Sequence, residues 1–320
     1  MRGSAEARTR NADSDSDSEG HFRLIGKEQT TSGPGRVFAR LPTRAWLGLA
    51  LIGVCWPLDW LLPGLRTQLL FAPLWLGYIL AVDTMVFLRK GTSLWTRSRP
   101  RFVGLFVVSA PVWWLFELLN WRAGNWQYLG REHFTDVQFG LLTTLCFTTV
   151  IPAVFSTAEL TSTFIPNVRW TVTIHPNPAT LATLFVAGLA TLALFTVWPH
   201  EFFWLLWISI FLIVEPVNAR LGFPTLMHWT RDGEWKPILS LWSGVLICGF
   251  FWEMWNYLSF PKWTYSVPFV GFWHIFEMPV LGYGGYLPIS LEVFAVYNLV
   301  MGLTRLVRRD YVQLSEWPPD

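Results

Sequence analysis

Apolar residues along this chain gather into long runs, at roughly 46–62, 69–87, 102–120, 138–157, 180–198, 202–217, 238–257 and 286–304. A helix of about 20 residues crosses the roughly 30 Å hydrocarbon core of a bilayer. With no water there to satisfy backbone N–H and C=O groups, a helix is the form such a run takes. The pattern predicts an all-α, polytopic integral membrane protein of about eight transmembrane helices. A further apolar stretch, 269–281, is short and runs through Met278-Pro279 into Gly282-Tyr283-Gly284-Gly285. It reads as a re-entrant or interfacial segment near 269–285.

Composition agrees with the pattern. Of 320 residues, 52% are hydrophobic and only 14% charged, too few to cover a water-facing surface. A formal net charge of +2 gives no reason to expect a nucleic acid partner. Residues 1–40, with Asp13-Ser14-Asp15-Ser16-Asp17-Ser18-Glu19, are polar and low in complexity, so they are expected to form a disordered cytoplasmic tail. No charged n-region followed by a short apolar stretch and a small-residue cleavage site opens the chain, and the first span is expected to serve as its own signal.

Charge in the connecting loops sets an orientation. One set of segments carries Arg36, Arg40, Arg44, Arg89, Lys90, Arg97, Arg99, Arg101, Arg169, Arg220, Arg231, Lys236, Arg305, Arg308 and Arg309, the other only Arg66, Arg122, Arg131 and Lys262. Cytoplasmic loops hold the excess of Lys and Arg, so the expectation is a multi-pass protein of the cell membrane with both termini cytoplasmic. Cys55, Cys146 and Cys248 each fall inside an apolar run, and the six histidines show no i, i+4 pair. The cysteines read as packing residues, and no metal site is expected.

The chain also repeats itself. Glu117-x-x-Asn120, followed by Trp126-x-Tyr128, recurs as Glu253-x-x-Asn256, followed by Trp263-x-Tyr265; Asp83 and Trp95 recur as Glu215 and Trp229. The offsets run 132 (Asp83 to Glu215), 134 (Trp95 to Trp229), 136 (Glu117 to Glu253) and 137 (Trp126 to Trp263), one register with small insertions. Two transmembrane repeats are therefore expected, 41–165 and 175–310. Four spans in each would bring both into the membrane in the same direction, as parallel repeats with a site at their interface. Duplicated polar residues can also serve only to join helices within lipid, and Asn120 and Asn256 are open to that reading.

Carboxylates inside apolar runs are functional candidates because charge there is costly. Glu253 lies about one turn from the outer end of its span, and Glu292 about two turns from the outer end of the last one, counted at roughly 1.5 Å per residue. Glu277 falls in the short segment on that same side. Asp83 and Glu215 lie near inner ends and are expected to pair with the basic loops. A carboxyl group among apolar and aromatic side chains holds its proton more tightly and is equipped as a general acid, while ring faces stabilise a nearby cation. This reasoning selects Glu253, Asn256, Glu292, Glu277, Glu117 and Asn120 as catalytic candidates. Trp255, Tyr257, Trp263, Tyr265, Trp273, Trp126 and Tyr128 are candidates to bind a substrate; for most of the chain's tryptophans, lipid-facing packing or interfacial anchoring is the simpler reading.

Glu253, Trp263, Tyr265, Gly284, Gly285, Leu287-Pro288-Ile289, Glu292 and Phe294 together resemble the membrane lycopene cyclase domain family of carotenoid biosynthesis. The resemblance covers 210–305 well and 80–160 weakly. Where that family has paired acids after Leu-Pro-Ile, this chain has Ser290 and Leu291. The resemblance implies a cofactor-free isomerase or cyclase that protonates a double bond of a carotenoid-like or isoprenoid lipid, with no net redox change. A proton-coupled transporter and a non-catalytic membrane scaffold are the alternatives. The partners expected are a lipid-soluble substrate and membrane lipid. No dinucleotide fingerprint, Walker loop or nucleophile elbow is visible.

Overall fold

A computed structural model describes residues 41–306 and 311–315. The tail expected at 1–40 and the Arg308–Arg309 end of the charge pattern lie outside the described residues. The chain is built almost wholly from helices: α1 (Thr43–Leu61), α2 (Phe71–Lys90), α3 (Arg99–Ala123), α4 (Asp136–Phe147), α5 (Val150–Ser162), α6 (Pro178–Val197), α7 (Leu206–Leu221), α8 (Lys236–Leu258) and α9 (Tyr286–Leu303). Seven helical segments are long and apolar enough to cross a membrane: 64–90, 99–123, 136–162, 178–197, 199–221, 236–258 and 280–303. They mark a multi-pass membrane protein. Helix α1 is not among the seven, but it packs along α2.

Local chemistry sets the helix ends. Ser98 caps α3 by accepting from the Arg101 N–H, and Thr135 and Gln138 form a reciprocal capping box on α4. Helix α2 stops at Gly91 and α3 at Gly124, with φ of 73° and 65°, a backbone that glycine adopts without steric cost. The tightest crossings use small residues. A Cβ at Gly48 of α1 would come within 2.8 Å of the Gly77 carbonyl in α2, and one at Gly188 of α6 within 2.7 Å of Ile213 in α7. Helices α5 and α8 meet over Gly244, where a Cβ would lie 2.7 Å from the Ala158 nitrogen, and Thr161 Oγ1 donates to the Ser240 carbonyl at 2.9 Å.

At the end of the bundle that carries most of the basic residues, the segments following α5 and α9 cross over. Trp170 N donates to Gly233 O at 2.9 Å, and Ile174 N to Thr230 O at 3.1 Å. Reciprocally, Arg97 Nε donates to Tyr311 O at 2.8 Å and Lys90 Nζ to Gln313 O at 2.9 Å. Glu159 accepts from the Gln313 N–H at 2.7 Å and pairs with Arg97. The acid expected to pair with basic loops does so in one case: Asp83 lies 3.5 Å from Arg44 Nε, while also accepting from Ser93 Oγ and the Trp95 N–H. Glu215 departs from that expectation. It accepts from the backbone N–H groups of Leu226 and Met227, holding the start of a one-turn helix (Met227–Thr230) as Asp83 holds the start of its counterpart, Leu94–Arg97.

At the opposite end stand the only strands among the described residues. β1 (Trp126–Leu129) pairs antiparallel with β2 (Lys262–Tyr265), and β3 (His274–Ile275) with β4 (Met278–Pro279). The stretch expected near 269–285 as a re-entrant or interfacial segment forms a hairpin followed by a 3-10 turn, Val280–Gly285.

Candidate functional site

The Glu-x-x-Asn and Trp-x-Tyr motifs are the two ends of one hydrogen-bonded device. Asn120, in the last turn of α3, accepts through Oδ1 from the N–H groups of Asn125 (2.9 Å) and Trp126 (3.2 Å), and donates through Nδ2 to the Trp126 carbonyl at 2.8 Å. Asn256 in the last turn of α8 does the same for Trp263, accepting from its N–H at 2.8 Å and donating to its carbonyl at 2.7 Å. Each asparagine therefore clamps a strand to the end of its helix. The strand then returns its tyrosine to the glutamate: Tyr128 Oη donates to Glu117 Oε1 at 2.6 Å, and Tyr265 Oη to Glu253 Oε1 at 2.7 Å. Both phenols lie beyond the helices. Burial first, and then the neighbouring carboxylate, push them well above the ordinary tyrosine range, so both remain O–H donors at neutral pH.

The two devices join through β1 and β2. Trp126 lies opposite Tyr265 and Tyr128 opposite Trp263, a register that is unchanged when the two strands exchange places. Alternate residues of a strand face the same side, and directly opposed residues share a face. All four rings consequently project from one side of the ribbon. Each tryptophan is met by an aromatic from the other half: Phe71 lies edge-on to Trp263 at 5.5 Å, and Trp207 stacks on Trp126 at 5.8 Å.

Below this ribbon is a cavity of about 690 Å³, lined by Trp126, Tyr128, Trp263 and Tyr265 together with residues of both halves, among them Trp113, Trp207, Trp252 and Tyr286. Its lining also includes Thr149 and Val150 from the first half and Gly285 and Tyr286 from the second. These are the points where the last span of each half is interrupted, between α4 and α5 and between the 3-10 turn and α9. Ser109 of α3 bridges the first interruption, donating to Phe147 O at 2.5 Å and accepting from Ile151 N at 3.0 Å.

Of the residues selected from the sequence, the four ribbon aromatics line the cavity, and Glu253 and Glu117 stand directly behind them. Asn256 and Asn120 position the strands; the side-chain bonds of Asn256 go to the Trp263 backbone, so it reaches Glu253 only through the strand that carries Tyr265. Glu292 is fully buried beside Ile210 and Phe211, one turn beyond the cavity-lining Ile289. Glu277 pairs with Lys262. Trp255 is packed into the core against Trp75 at 5.0 Å. Tyr257 and Trp273 are 44% and 79% exposed. None of these five residues lines the cavity.

One contributor lies outside the repeated motifs. Tyr286 Oη donates to Glu253 Oε1 at 2.6 Å, so that carboxylate oxygen accepts from two phenols. Tyr286 takes the space over Gly249, four residues before Glu253; the residue four before Glu117 is Trp113. The mismatch between Trp113 and Gly249 was the trace of it in the sequence. No protein-family model, curated protein or solved structure matches the chain.

Proposed function

We propose that the chain is a membrane-embedded isomerase or cyclase acting without a cofactor on an isoprenoid or carotenoid-like lipid, by proton transfer to a double bond. In this reading it belongs to the cell membrane, crosses it eight times counting α1, and consists of two parallel repeats with both termini cytoplasmic. The self-consistent register of β1 with β2 supports the repeats, and the gathering of basic residues at the end away from the ribbon supports the orientation.

The observation that carries the chemistry is the sharing of Glu253 Oε1 by Tyr265 and Tyr286, both lining an aromatic cavity. Glu253 itself lies behind the phenols, so its proton reaches the cavity through one of them. A protonated Glu253 donates to a phenol oxygen and frees that phenol's O–H for the ligand. The π electrons of a substrate double bond take the phenol proton, forming a C–H bond, and the carboxyl proton restores the phenol. The resulting carbocation faces ring quadrupoles and a carboxylate. A second double bond closing on it, or simple migration, is followed by loss of a substrate proton back to Glu253, with no net oxidation or reduction.

A carrier is the second reading, favoured by the interrupted last spans on either side of the cavity, since discontinuous helices line transport sites. One experiment separates the two. The protein in liposomes is given a panel of isoprenoid hydrocarbons in deuterated buffer, and the lipids are extracted. An isomerase or cyclase yields product carrying solvent deuterium at carbon; a carrier moves unlabelled lipid; a scaffold does neither.

A further inference from the structure

We propose that Asn125 recognises a hydroxyl group, so that the ligand of this cavity is an isoprenoid alcohol rather than a pure hydrocarbon. The inference rests on the reading of the cavity as an isoprenoid site and narrows it. Asn125 lines the cavity and is 2% exposed. Its backbone is fixed on both sides, the N–H donating to Asn120 Oδ1 at 2.9 Å and the carbonyl accepting from the Ser266 N–H at 2.8 Å. Its carboxamide is different: neither Oδ1 nor Nδ2 bonds any protein group among the described residues.

Leaving a buried amide without partners is costly, and nothing in the backbone arrangement needs that side chain, since the clamp is made by Asn120. An alcohol meets both needs at once: its O–H donates to Oδ1 and its oxygen accepts from Nδ2. A hydrocarbon meets neither. The position is not duplicated, because the residue 137 places on is Lys262, which pairs with Glu277. The Asn125–Ser266 backbone pair adjoins the Trp126–Tyr265 pair of the ribbon, so the bound hydroxyl lies at the Tyr265 end of β2.

The test uses the full chain in lipid nanodiscs, with empty nanodiscs as the partition control, and follows quenching of its tryptophan fluorescence by farnesol and by the hydrocarbon of the same chain lacking the hydroxyl. Farnesol is expected to bind about ten- to a hundredfold more tightly, the range set by one or two satisfied hydrogen bonds. Asn125→Leu should remove that preference while still binding the hydrocarbon, and Asn125→Asp, which keeps the shape and a bonding carboxyl, should retain it. Equal binding of the two ligands to the unsubstituted protein, or a preference that survives Asn125→Leu, overturns the role of Asn125 but leaves the cavity reading standing. If neither ligand binds, both fall together.

Discussion

The ring of Tyr286 rests directly on Gly249: a Cβ built at that glycine would lie 2.6 Å from Cε2 and 2.7 Å from Cδ2 of the tyrosine. The absence of a side chain at 249 is therefore what lets the phenol reach Glu253. Gly249→Ala should displace the ring and destabilise the protein by about 1–3 kcal/mol, the usual penalty of overpacking. Gly104→Ala, where a Cβ meets nothing within 4 Å, should leave stability unchanged or slightly raised. Thermal unfolding of the two variants in detergent checks the contrast.

Glu253→Gln keeps the size of the side chain and its capacity to accept from Tyr265 and Tyr286, but it holds no transferable proton. Conversion of an isoprenoid substrate should fall by about 10²–10⁴-fold, the usual contribution of general acid catalysis, with unfolding temperature nearly unaltered. Glu117→Gln should cost less, because in that half Tyr128 and the Trp126 indole, rather than two phenols, meet the carboxylate. Chromatography of products from membranes with matched protein levels decides it; full conversion by Glu253→Gln would remove the glutamate from the mechanism.

Gln127 and Thr264 are directly opposed in the ribbon. A chain with cysteine at both positions should form a disulfide under mild oxidation, linking the halves after proteolysis between them. Cysteines at 127 and 262, out of register by two residues, should link far less. The native cysteines give little background, since Cys55 and Cys248 are buried and Cys146 lies within α4.

Ser109 serves both sides of the gap between α4 and α5. Ser109→Ala leaves the Phe147 carbonyl and the Ile151 N–H without that partner in an apolar setting, at a cost of about 1–3 kcal/mol for an unsatisfied group. Ser109→Thr, which keeps the hydroxyl, should recover part of the loss. The comparison is again thermal unfolding, with hydrogen exchange at the gap as the local readout.

Much of this architecture was legible because it obeys rules that act locally. Runs of apolar residues mark the helices, to within a few residues at each end, and the common register of Glu117 with Glu253 and Trp126 with Trp263 marks the paired devices. What the sequence hid was mostly produced by contact between distant segments. Glu-x-x-Asn places its two groups on one helix face, as i and i+3 do, but Asn120 and Asn256 sit in last turns, where the next strand is the nearer partner. Trp-x-Tyr has the period of a strand, but three residues are too few to mark one by themselves. Tyr286 lies 33 residues from Glu253 and has no equivalent in the first half, so a search for repeated residues passes over it. Asp59 likewise had no counterpart in the repeated motifs: it is fully buried in α1, and its carboxylate bonds no protein group among the described residues.

The crossing of the segments that follow α5 and α9 bears on the order in which the protein is made. Synthesis delivers the first half to the membrane well before the last residues exist, yet the cover over Lys90, Arg97 and Glu159 is supplied by Tyr311 and Gln313. The earliest part to be inserted is thus the last to be finished, and a nascent chain halted after α5 would leave that buried ion pair uncovered, a state distinct from the completed fold.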